Sequence, residues 1–151
     1  MAGKILVTGG AGFIGSHLVD ELLLRGHAVI ALDNLSNGSK NNLDLAPSNS
    51  NFNFIQGDIL DRELCDTALK DVEVVYHLAC LGVRHSIHSP VENHEVNATG
   101  TLNVLEAARK NEVKKFFYIS TSEIYGKTER FPIVETNVTK PCTVYGSSKL
   151  A

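Results

Sequence analysis

The sequence has no tryptophan, a single methionine and only three cysteines. The longest apolar runs are far too short to cross a bilayer, which takes about 20 residues as a helix, so no membrane partner is expected. Cys65, Cys80 and Cys142 form no CxxC pair and stand at no metal-ligand spacing. Neither a metal centre nor a disulfide framework is expected, and the odd, scattered set reads as reduced thiols in a cytoplasmic protein. An excess of charge of one sign is missing too. The 14 basic and 17 acidic residues are spread along the chain, with no basic stripe to neutralise a phosphate backbone, so nucleic acid is not expected as a partner. The first apolar residues run straight into a glycine-rich stretch, and no secretory signal is expected. What remains is ample for a core: 151 residues, 43% of them hydrophobic, support one domain over 1–151.

Strand and helix signals alternate along that length. KILVTG (Lys4 to Gly9) is a short apolar run stopped by glycines, which suits a buried parallel strand. From Phe13 to Arg25 a helical stripe holds Ile14, Leu18, Leu22 and Leu23, with Gly26 as its C-cap. HAVIALD (His27 to Asp33) is a second strand, and the Asn-, Ser- and Gly-rich stretch from Asn34 to Asn51 reads as a loop. NFNFIQGD gives a third strand, Asp61 caps a short helix through Leu69, and Val72 to Ala79 gives a fourth strand. A helical pattern over Val91 to Asn111 and a fifth strand over Lys114 to Ser120 follow. This order predicts an α/β fold, a doubly wound parallel sheet with right-handed helical crossovers. A last helix, beginning near Val144, has only about two turns before Ala151, so the chain is expected to stop short of a further domain.

TGGAGFIG (Thr8 to Gly15) lies between the first strand and the first helix. A dinucleotide pyrophosphate needs close backbone approach, free N–H groups and the positive end of a helix dipole. Gly9, Gly10 and Gly12 permit the turn and the approach, and Gly15 lets the helix pack on the strand. Asp33 ends the second strand about twenty residues on, where a carboxylate meets the ribose hydroxyls. No arginine follows it in DNLSNG, so NAD is favoured over NADP. The alternative is that Asp33 simply caps a turn. Asp58, after the third strand, suits either the adenine edge or a turn.

YGSSK opens the last helix and sets Tyr145 and Lys149 four apart on one face. A phenol ordinarily loses its proton near pH 10. Bringing that to about 7, where it works as a base, takes roughly 4 kcal/mol of differential stabilisation, which two nearby cations in a partly dry site can supply. A lysine one turn away and a positive nicotinamide would be those cations. Taken alone, a Tyr and a Lys at this spacing are usually packing and solvent.

Here they are not alone. TGGAGFIG, DN after the second strand, GDI, HLA, VNATGT, STSEIYG and YGSSK occur in this order and at these spacings. Together they resemble the extended short-chain dehydrogenase/reductase family, and within it the nucleotide-sugar epimerases, dehydratases and decarboxylases. The resemblance implies an NAD-binding Rossmann fold truncated before a substrate domain. It implies Tyr145 as catalytic base, Lys149 as its electrostatic partner, and Thr121 as the hydroxyl bonding the sugar oxygen that is oxidised. As cofactor contacts it implies Gly9, Gly12, Phe13, Ile14, Asp33, Asn34, Asp58, Ile59, Leu78, Ala79, Asn97, Tyr145 and Lys149, with Asn97 mostly tying a helix to a strand. The implied partner is a nucleotide-diphosphate sugar, oxidised at C4 to a 4-keto intermediate, and the full-length enzyme is expected to be a homodimer.

The branch of the family turns on Glu123. Thr121, Ser122 and Glu123 resemble the Thr-Ser-Glu of GDP-mannose dehydratases and UDP-glucuronate decarboxylases, with Glu123 as base at C5. The serine weakens a dTDP-glucose dehydratase assignment. Alternatively, Glu123 is a solvated residue at a strand end. LGVRHSIHSP (Leu81 to Pro90) reads as a loop about one residue shorter than usual, so no substrate contact carries over to Arg84, His85 or His88. A non-catalytic NAD-binding module is the competing class, and Tyr145→Phe separates the two.

Overall fold

The computed structural model describes residues 3–43, 46–129 and 131–151. In chain order its elements are β1 (Lys4–Thr8), α1 (Phe13–Leu24), β2 (Ala28–Asp33), β3 (Phe52–Gln56), α2 (Arg62–Ala68) and β4 (Val72–His77). Then come α3 (Val83–His88), α4 (Pro90–His94), α5 (Thr101–Lys110), β5 (Lys115–Tyr118) and α6 (Val144–Leu150). The chain divides into two compact units. One runs to Ala79 and takes in Thr101–Ile119; the other comprises Cys80–Gly100 and Ser120–Ala151.

The first unit holds the whole sheet. Its five parallel strands lie in the order β3-β2-β1-β4-β5, so the chain winds outward from β1 through β3 and then crosses to the other side of β1. The carboxyl ends of β1 and β4 therefore part at a topological switch point, where open α/β sheets bind ligands. Leu6, Val7, Ala31 and Val75 are completely buried, as unbroken apolar runs covered on both faces must be.

The helix signals translate closely. Asp61 accepts the Leu64 N–H at 3.0 Å as the N-cap of α2. α1 closes with Gly26 at φ +80°, and bonds from Gly26 N–H to Leu23 O and His27 N–H to Leu22 O satisfy its last carbonyls. Between β2 and β3 the structure departs from the expected plain loop. Short 3₁₀ turns run over Lys40–Leu43 and Ala46–Ser48, because Leu43 and Ala46 are buried against the α1 side of the core. Asp44 and Leu45 of that stretch lie outside the described residues.

The second unit corrects another expectation. LGVRHSIHSP is not all loop: Val83–His88 forms α3, and Pro90, at the first position of α4, starts a new helix after Ser89. The helical pattern over Val91 to Asn111 holds, but in pieces. α4 passes into a π-helical turn, Glu95–Gly100, before α5 begins.

Candidate active site

In the first unit, β1 delivers the chain into a turn that only glycine fits. Gly9 takes φ +67°, and a Cβ there would lie 2.8 Å from the Ala79 nitrogen. Gly12 N–H bonds to Gly9 O at 3.1 Å, folding the turn onto the start of α1. Gly12 is the N-cap of α1 with no side-chain hydrogen bond, and no acid stands in the first turn. The first-turn amides are thus left for an outside acceptor, which fits a pyrophosphate. Phe13 and Ile14 occupy that turn with their side chains 79% and 66% exposed, so their backbone, rather than their packing, faces the fold.

Asp33 is buried at the end of β2 and reaches back to this turn. Its Oδ2 accepts the Ala11 N–H at 3.0 Å and its Oδ1 accepts the Leu35 N–H at 2.8 Å. It does cap a turn, and each oxygen still has a second lone pair for a ribose hydroxyl. Asn34 donates its side-chain amide to Asp58 at 2.7 Å, while the other Asp58 oxygen accepts the Leu60 N–H. Both carboxylates therefore stand at the ends of adjacent strands, and both also shape the backbone that follows them. The Ile59 side chain is buried, and its carbonyl accepts from Asn103.

Leu78 and Ala79 leave β4 tied to β1. Leu78 N–H bonds to Thr8 O at 3.2 Å, and Ala79 N–H to Thr8 Oγ1 at 3.2 Å. Thr8 Oγ1 also lies 2.8 Å from Nδ1 of His77, a fully buried ring whose Nε2 meets Thr101 Oγ1 at 3.0 Å. This buried relay locks the ends of β1 and β4 together. The HLA motif signalled a strand end, but its histidine partner across the sheet had no local signal.

In the second unit, Thr121 caps the 3₁₀ turn Ser122–Tyr125, its Oγ1 accepting the Glu123 N–H at 3.3 Å, and its side chain also hydrogen-bonds Tyr145. α6 opens at the Thr143 N-cap, whose hydroxyl accepts the Gly146 N–H at 2.9 Å and donates to Glu123 Oε2 at 3.3 Å. Glu123 is thus half-buried and held in place. Tyr145, Thr121 and Glu123 come together, and Lys149, one turn along α6, is only 5% exposed. Cys80 joins them, beside both the phenol and the lysine. The sequence reading missed it, although its place directly after HLA, at the end of β4, was a usable signal.

Burial pushes the Tyr145 phenol above its ordinary range, Cys80 and Glu123 add to this, and only the Thr121 hydrogen bond works against it. Burial likewise pushes Lys149 down, with Cys80 opposing. The reason is desolvation: taking either group out of water disfavours its charged form. Among this chain's own side chains the balance therefore favours the neutral phenol.

Asn97 sits in the π turn, 1% exposed, and clamps Leu81 by accepting its N–H and donating to its C=O, both at 2.8 Å. Asn93 donates to the same carbonyl and to that of Gly82. Removing the Asn97 amide leaves the Leu81 carbonyl with Asn93 but strands the buried Leu81 N–H, at about 1–3 kcal/mol. Asn97→Ala should therefore lower the stability of the chain by about 1–3 kcal/mol in urea unfolding.

The family model described as GDP-mannose 4,6 dehydratase matches residues 6–151. The chain belongs to this family. Its relatives within it span several activities. A UDP-glucose 4-epimerase of Mycolicibacterium smegmatis is 39% identical over 151 residues, covering 98% of this chain and 48% of its own. UDP-glucuronic acid decarboxylase 2 of Arabidopsis thaliana is 42% identical over 134 residues, 88% of this chain and 29% of its own. Among solved structures, the dTDP-glucose 4,6-dehydratase of Streptomyces venezuelae, with NAD bound, superposes with a TM-score of 0.90 at 35% identity, covering 97% of this chain and 48% of that one. The chain spans about half the length of the curated relatives it first matches. Among the described residues no group of histidines, cysteines and carboxylates could hold a metal ion, and no helix is long and apolar enough to cross a membrane.

Proposed function

We propose that residues 1–151 form the NAD-binding domain of a nucleotide-sugar epimerase or dehydratase that works by oxidising the sugar at C4. The observation that carries this reading is the grouping of Tyr145, Thr121 and Glu123, with Lys149 buried one helical turn away. NAD, when bound, takes the hydride from C4 of the sugar. Tyr145, as phenolate, takes the proton from the 4-hydroxyl, so that the C4–O bond becomes a carbonyl. Thr121 bonds that oxygen, and Lys149 contributes positive charge beside the phenol. The glycine turn, the α1 amides, Asp33, Asn34, Asp58, Ile59, Leu78, Ala79, Asn97, Tyr145 and Lys149 hold the dinucleotide, with Asn97 mostly structural. The same reading makes the protein a cytoplasmic homodimer acting on a nucleotide-diphosphate sugar.

Glu123, which Thr143 holds in place, is available as a base at C5 for a dehydratase, and a nucleotide-sugar decarboxylase is the alternative outcome. Incubating a version of the protein of its relatives' full length with UDP-, GDP- and dTDP-sugars, and weighing the products, tests all of this. Unchanged mass with altered stereochemistry identifies an epimerase; loss of water or carbon dioxide identifies the other two. No turnover of any of them overturns the reading.

Glu123→Gln sharpens the distinction. If Glu123 removes the C5 proton, the variant should still oxidise C4 but stall, with NADH accumulating and product falling by about 100-fold. In an epimerase the same change should cost less than about tenfold, which absorbance of NADH and product mass together decide.

A further inference from the structure

α6 carries both Tyr145 and Lys149, so whatever fixes its rotation fixes both, and Ser148, a buried residue between them, offers a grip. Ser148 is 2% exposed. Its hydroxyl donates to Val144 O at 2.8 Å, one turn back along α6. With that proton committed, the oxygen is an acceptor, and Nδ1 of His94 lies 2.8 Å from it. The arrangement suits a His94 that carries its proton on Nδ1 and donates it to Ser148.

His94 is placed for this by the helix that precedes the π turn. Asn93, beside it in that helix, and Asn97, in the π turn that follows, fasten this segment to the backbone of Leu81 and Gly82, the stretch that follows Cys80. The segment thus grips the residues next to Cys80 with two asparagines and grips α6 with one histidine. We infer that His94, acting through Ser148, is a positioning residue that fixes the orientation of α6 and so sets the Tyr145 phenol against its partners. This rests on the proposed C4-oxidation chemistry for its kinetic consequence, but not for its geometric one. His94 is an exposed residue whose bond to Ser148 is part-buried, so the role is that of a strut and not of core packing.

The test uses His94→Ala, His94→Asn and Ser148→Ala in a protein of the relatives' full length. An asparagine amide places a donor where Nδ1 stood, so His94→Asn should restore what alanine removes. His94→Ala and Ser148→Ala should each lower kcat by about tenfold, with KM for the sugar and the affinity for NAD within about threefold, because a misplaced base costs rate and not binding. His94→Asn should recover most of that loss. A second readout is the ¹³Cζ resonance of Tyr145, assigned through Tyr145→Phe. It should move in both alanine variants and return in His94→Asn. Unchanged kcat together with an unmoved resonance overturns the inference, as does equal loss in His94→Ala and His94→Asn. If the parent protein turns over no nucleotide sugar, the functional reading falls, and the resonance alone still decides the positioning role. Should His94→Ala fail to fold, Ser148→Ala and His94→Asn carry the same comparison.

Discussion

Replacing Tyr145 with phenylalanine should reduce nucleotide-sugar turnover by about a thousandfold or more and leave NAD affinity within a few-fold. The change removes one oxygen and keeps the ring, so α6 and its Thr143 cap are undisturbed. The lost atom is the one that Thr121 bonds and that Glu123 and Cys80 face. A general base of this kind supplies about 10²- to 10⁴-fold, or roughly 3–5 kcal/mol of barrier. NAD binding is spared because the glycine turn and Asp33, which carry the dinucleotide contacts in this reading, are untouched. The split matters more than the loss. A variant that binds NAD normally and still turns over the sugar would assign the base elsewhere. Loss of both functions together would mean that the phenol supports the fold and not the reaction.

The raised phenol in the chain alone gives this prediction a further edge. Burial, Cys80 and Glu123 all favour the neutral ring. The ordinary direction of the pH effect follows. Because only the phenolate can accept the proton, activity should rise with pH through the titration of Tyr145, read as kcat/KM against pH.

The parts of this molecule that the sequence made legible are those governed by neighbours along the chain. The parallel strands, the Asp61 cap, the glycine turn and the acid after β2 all depend on period, local hydrogen bonds or a fixed offset, and each stands where it was expected. α3 was missed because four polar or charged residues, Arg84, His85, Ser86 and His88, interrupt its six positions, leaving no apolar stripe to read. The 3₁₀ turns before β3 were hidden in the same way, since only Leu43 and Ala46 betray their burial. Cys80, and the contact between His94 and Ser148, join residues far apart in sequence, and no pattern within a window reports such a pair. The rise of the Tyr145 phenol in the chain alone is not legible in sequence either. Spacing shows a lysine one turn away, but it cannot weigh that charge against the loss of water around both groups.

Gly15 should be the most sensitive position in the dinucleotide turn. It lies in the first turn of α1, and a Cβ there would run into the Gly9 carbonyl oxygen, with the Gly10 Cα and the Gly9 carbonyl carbon both 2.9 Å away. All three are backbone atoms and cannot rotate aside. Alanine is the better helix former by about 1 kcal/mol, but that gain is outweighed if the helix must slide off the turn, an overpacking cost of about 3 kcal/mol. Gly15→Ala should therefore unfold about 2 kcal/mol more easily, and its NAD affinity should fall by more than about tenfold, because the amides of α1 and the turn no longer converge. Gly82→Ala is the control: a Cβ at the N-cap of α3 meets nothing within 4 Å, and that change should alter stability by less than about 0.5 kcal/mol. Calorimetric titration with NAD and urea unfolding of the two variants decide the matter. A Gly15→Ala protein that matches its parent in both would show that the turn and helix are held apart by something other than the absent side chain.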